Sequence, residues 1–100
     1  MSTINRKDFI FTIGYQGEAA IVDSQAKKKY GNLSAPELAD KGLFRPAFCA
    51  ALWDENEEDL QRVVDDYNRQ SGSKLNSPEQ MKRLLGVFSV PQEVSRIIKI

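Results

Sequence analysis

From residue 34 onward the chain is punctuated by one device: a small polar residue, a proline close behind it, then a Glu or Gln. Ser34-Ala35-Pro36-Glu37, Asn76-Ser77-Pro78-Glu79 and Ser89-Val90-Pro91-Gln92 all carry it. The polar side chain accepts a bond from an orphan N–H of a first helical turn, and the Glu or Gln side chain reaches back to the cap N–H. Proline fits there because its missing N–H has no intrahelical acceptor to lose. Asp54-Glu55-Asn56-Glu57 reads as the same box without proline, and Pro46 also stands where a helix can begin. All four prolines therefore predict helix starts rather than breaks.

The segments behind these signals have helical faces. A helix is predicted over about 35–41 with Gly42 as its stop, and Leu33 and Leu38 flank its cap at the spacing of a hydrophobic staple. Over about 46–53, Phe44, Ala47, Phe48, Ala51 and Leu52 share a stripe. Over about 55–70, Leu60, Val63, Val64 and Tyr67 follow i, i+3, i+4, i+7, and Ser71-Gly72-Ser73 ends the pattern. Over about 77–85 the face is Met81, Leu84 and Leu85, with Phe88 just beyond. A last helix over about 90–99 is expected to bury Val94, Ile97 and Ile98.

The first part of the chain reads differently. Asp8 to Ile13 is aromatic and β-branched, Gln16-Gly17 supplies a turn, and Glu18 to Asp23 returns. This predicts a β-hairpin over 8–23, then a short helix over about 24–30 stopped by Gly31; one helix over 18–30 is the competing reading. A lone hairpin is marginal in water, so its apolar face must rest on helices. The fold class predicted is α+β, mostly α: a single small domain with an N-terminal β-hairpin packed against four or five short helices. The expected core includes Phe9, Phe11, Ile13, Leu38, Phe48, Val63, Val64, Leu84 and Val94.

Composition narrows the chemistry. The 100 residues contain no His, so the commonest general base and metal ligand is missing. Cys49 is the single cysteine; it lies in an apolar helix, has no His to activate it, and reads as a buried structural thiol. One cysteine makes no disulfide framework, and no apolar run has the length of a signal sequence or membrane helix, which predicts a cytoplasmic protein without membrane contact. The run Asp54 to Asp59 has oxygens at alternate positions but lacks the glycine a calcium loop needs, and Gly14-Tyr15-Gln16-Gly17 lacks the lysine and hydroxyl of a phosphate loop. No catalytic residue, cofactor or metal is therefore assigned.

Charge supplies the remaining candidates. Lys27-Lys28-Lys29-Tyr30 is a basic run beside an aromatic ring, and Lys27, Lys28, Lys29 and Arg45 are the candidate phosphate or partner contacts, joined by Arg6, Lys7 and Lys41 if the fold gathers them. The plainer reading is a solvated helix C-terminus, where lysines complement the dipole. Asp54, Glu55, Glu58 and Asp59 are the candidate acidic partner surface. The formal charge is zero only by cancellation: residues 46–70 carry two bases against seven acids, while residues 1–45 and 71–100 carry sums of +2 and +3.

Two short stretches resemble known families. Phe11-Thr12-Ile13-Gly14-Tyr15-Gln16-Gly17 resembles the first strand and loop of a family of uncharacterised bacterial proteins, but the Cys- and Arg-containing motif that the family carries downstream has no counterpart here. Leu75 to Leu85 resembles a thumb-region helix start of family A DNA polymerases, whose catalytic segments are missing. Neither resemblance assigns a family or a site. The function expected by elimination is a non-enzymatic protein–protein interaction or regulatory module, with self-association as one form of it. The alternative is a nucleic-acid-binding accessory protein using the Lys27–Lys29 region.

Overall fold

The structure, a computed structural model, describes residues 4–87, 89–91 and 94–100. Its first element is a helix where the sequence reads as strand. Asn5 accepts from the Asp8 amide at 2.9 Å and caps α1, Arg6–Ile10. The reason lies in burial: every residue from Asp8 to Thr12 is buried, and a one-sided strand would have sent alternate side chains to solvent. A short helix ending in a turn places Phe9, Ile10 and Phe11 together in the core.

The hairpin is therefore shorter than 8–23. β1, Thr12–Gln16, pairs antiparallel with β2, Ala19–Val22. Gly17 at φ 60° supplies the left-handed first position of the two-residue turn, which an L side chain resists. The register shifts between Thr12 and Gly14, so Ile13 has no opposite partner. Its side chain is 52% exposed, which corrects its placement in the core.

Asp23 caps α2, Ser24–Tyr30, by accepting from the Ala26 amide at 3.1 Å. The hairpin-then-helix reading thus holds over a single helix from Glu18. Ser34 and Glu37 make the reciprocal capping box of α3, Ala35–Asp40. Next come α4, Phe44–Trp53; α5, Glu57–Ser71; and α6, Pro78–Leu85. The cap of α5 is Asn56 rather than Asp54, because only Asn56 reaches the amide of its third helical residue, Asp59, at 3.0 Å. Ser77 makes no side-chain cap; Gln80 accepts from the Asn76 amide instead.

The last helix expected is not formed. Arg96–Lys99 is a strand, β3, parallel to β2, with Ala19 opposite Arg96 and Val22 opposite Lys99. β2 needs a second partner on its open side, and isoleucine-rich Arg96–Lys99 suits a sheet better than an isolated last turn. Pro91 therefore starts no helix, and Gln92 of its box lies outside the described residues, as do Phe88 and Glu93. Among the described residues the sheet order is β1-β2-β3, with both outer strands as edges. The α+β class stands: the described residues form six helices and this one sheet, with α1 packed against β2 and the other helices against one another.

α4 is the hub. Ala47, Phe48, Cys49, Ala50 and Ala51 are all buried, and the small residues let α1, α3 and α5 approach from different sides. Leu38, Val63, Val64 and Met81 complete the core, whereas Leu84 is 53% exposed because Met81 and Leu85 are the positions α6 turns inward. α2 buries no residue fully. It lies at the margin of the core, with Lys27 tied to Asp8 and Lys28 and Lys29 exposed.

Candidate anion-binding groove

Two lysines of the basic run line a groove with two lysines from other elements. Lys27 and Lys28 on α2, Lys7 on α1 and Lys99 on β3 line one groove of about 330 Å³, together with Ser24, Gly31 and Asn32. The elements meet there for local reasons. The Asn5 cap sets the start of α1, the Asp23 cap sets the start of α2, and the β2–β3 register puts Lys99 opposite Val22, next to the start of α2. Ile100 reinforces this corner: its amide donates to the Val22 carbonyl at 3.0 Å and its carbonyl accepts from the Ser24 amide at 3.2 Å.

Partners of the four lysines differ. The Lys27 ammonium donates to the buried Asp8 carboxylate at 2.5 Å. Lys7 donates to the neutral Asn32 side-chain oxygen at 3.3 Å. Lys28 and Lys99 meet no acceptor among the described residues. Gly31 closes the groove where α2 ends, and a Cβ there would collide with the Lys27 carbonyl. A concave wall of ammonium groups concentrates positive potential more than the same charges do on a flat surface.

The other sequence candidates lie elsewhere. Lys29 sits over the Tyr30 ring, 5.3 Å from its centroid, outside the groove. Arg45 does not join the lysines. Its guanidinium donates to the Thr12 carbonyl at 3.3 Å and the Leu85 carbonyl at 2.7 Å, tying β1 to the end of α6. It borders a separate apolar cleft of about 180 Å³ with Phe11, Leu43 and Pro46. Arg6 grips Asp54 in a two-pronged pair at 3.0 and 2.9 Å, which raises the guanidinium's pKa and lowers that of the carboxyl.

Asp54 is thus engaged, while Glu55 and Glu58 are exposed and Asp59 is half-buried at the start of α5. Arg6–Asp54 is the one ion pair among the described residues that joins a base of the flanks to an acid of residues 46–70. The acidic segment and the basic groove are therefore not neutralised against each other. Burial pushes the Cys49 thiol up to about 12, with Arg45 opposing, so little of it is thiolate at neutral pH.

Sequence reasoning weighed Lys7 but missed Ser24, Asn32 and Lys99. Lys99 had no signal at all, because its position depends on a strand pairing across most of the chain. Among the described residues, no group of His, Cys, Asp and Glu could hold a metal ion, and no helix is long and apolar enough to cross a membrane. Comparison of the chain with protein-family models, curated proteins and solved structures finds no match.

Proposed function

We propose that this protein is a non-enzymatic interaction module that docks an anionic segment of a protein partner in the lysine groove. The observation that carries this reading is the convergence of Lys7, Lys27, Lys28 and Lys99 from three separate elements on one concavity. A compact groove favours a single anionic group over an extended polyanion track, which needs cations spread along its length. The exposed carboxylates of Glu55 and Glu58, left unpaired by that groove, orient the approach of the partner.

The test is fluorescence anisotropy with an acidic peptide carrying one phosphoserine, against a single-stranded oligonucleotide of similar length. The expected result is peptide binding that weakens with salt and depends on Lys28 and Lys99. Tighter oligonucleotide binding with a steep salt dependence would replace the reading by the nucleic-acid one.

Self-association is a second reading with its own support. β1 is an edge strand without a charged residue, and Ile13 and Tyr15 on it are 52% and 46% exposed. The opposite edge, β3, is guarded by Arg96 and Lys99. Sedimentation at ~100 μM, in the range where exposed edges begin to pair, should show a dimer that Ile13→Lys abolishes. A monomeric parent chain removes this reading.

A further inference from the structure

The charge balance of the groove points to one class of anion. Asp8 neutralises Lys27, whereas Lys7 meets only a neutral amide, and Lys28 and Lys99 meet no acceptor among the described residues. Three lysines without a counter-charge among the described residues thus line the groove from α1, α2 and β3. A carboxylate offers one charge and two coplanar oxygens. A phosphoryl monoester offers nearly two charges and three oxygens in a tetrahedral array, one for each such ammonium group. The neutral Ser24 hydroxyl and Asn32 amide can serve the same oxygens.

One of the three cations comes from an outer strand of the sheet. β3 is held at the sheet edge by its ladder with β2, bracketed by Ser95 N–H to the Glu18 carbonyl at 2.9 Å and Ile100 N–H to the Val22 carbonyl at 3.0 Å. When β3 detaches, Lys99 leaves the groove. A ligand that prefers the intact groove must therefore hold β3 in place, since its differential affinity for two states shifts their populations.

Resting on the anionic-partner reading above, we propose that the groove selects a phosphoryl group over a carboxylate, and that the bound group clamps β3 to α1 and α2 through Lys99. The full chain, isotope-labelled, is titrated with inorganic phosphate and with acetate at constant ionic strength, while amide exchange is followed at Ser95 and Ile100. Phosphate is expected to saturate one site per chain and to bind at least about tenfold tighter than acetate, the worth of one charge-assisted hydrogen bond. Lys28→Gln and Lys99→Gln should each weaken it by about tenfold, with Lys29→Gln unchanged. Saturating phosphate should slow exchange at both amides several-fold in the parent chain and not in Lys99→Gln.

Acetate binding as tightly as phosphate would overturn the selectivity and leave an anion site. Unchanged exchange with phosphate bound would overturn the clamp. Phosphate indistinguishable from chloride would overturn both, and the anionic-partner reading with them. Lys27 is avoided as a test position because its loss strands the buried Asp8.

Discussion

The ammonium of Lys27 and the carboxylate of Asp8, 19 residues apart, meet at 2.5 Å with the acid almost wholly buried. This pair fastens α2 against α1 and so builds the groove wall while neutralising one of its four lysines. Lys27→Met should destabilise the fold by about 2–4 kcal/mol, because it leaves an uncompensated buried charge. Asp8→Asn added to Lys27→Met should recover part of that loss. Urea midpoints of the parent, the single and the double variant check this; a single variant as stable as the parent would remove the pair from the fold's support.

Ser34-Ala35-Pro36-Glu37 is legible in the sequence because capping chemistry is local, and the box forms as read. The faces of α4 and α5 are legible because a period of 3.6 is written in neighbouring residues. Three features are not. Asp8 to Thr12 has strand-forming residues, yet burial on all sides makes a helix and turn the better solution. Ile13 is displaced by an irregular register that no composition announces. Arg96–Lys99 becomes a strand only because β2, far away in sequence, lacks a neighbour. Lys27 and Lys28 were therefore readable as candidates for the groove, and Lys99 was not.

Arg6 and Asp54 give the fold a pH dependence at the acid end. The two-pronged bond from Arg6 is the main cause that lowers the Asp54 pKa, with burial opposing. A carboxyl whose folded value is depressed contributes stability above its unfolded value, and that contribution is lost as pH falls through the folded value. Both side chains are more than a third exposed, so solvent screening limits the pair to about 0.5 kcal/mol. The stability difference between the parent and Asp54→Asn should be constant above about pH 5, shrink as pH drops below about 4, and vanish only below the depressed folded value. Added salt should shrink it at neutral pH. A difference that grows on acidification contradicts the assignment.

Cys49 should be silent in the native protein. The thiol is buried on α4 and pushed up to about 12, so thiolate is scarce at pH 8. Iodoacetamide should label the folded chain at least about a thousandfold more slowly than the urea-unfolded chain, since reaction must await opening. Rapid native labelling would mean that α4 is not the packed hub described.

Removal of Ile97–Ile100 tests the parallel strand. It uncovers the β2 edge and deletes half-buried Ile97 and Ile98. The melting temperature should fall by several degrees, at about 4–8 °C per kcal/mol for a domain of this size. An unchanged melting temperature would show that β3 adds nothing to the sheet.

On the proposed reading, the position of the lysines, and not net charge, lets the groove bind an anion. Lys28→Gln/Lys99→Gln removes two groove lysines, and Lys29→Gln/Lys74→Gln removes two exposed lysines outside it with the same change in net charge. Affinity for the acidic phosphoserine peptide, measured at one ionic strength, separates them. The groove variant should lose about 100-fold, the worth of two charge-assisted contacts, and the control no more than about twofold. Equal losses in the two variants would mean that the chain attracts anions by charge alone, and that the groove is not a site.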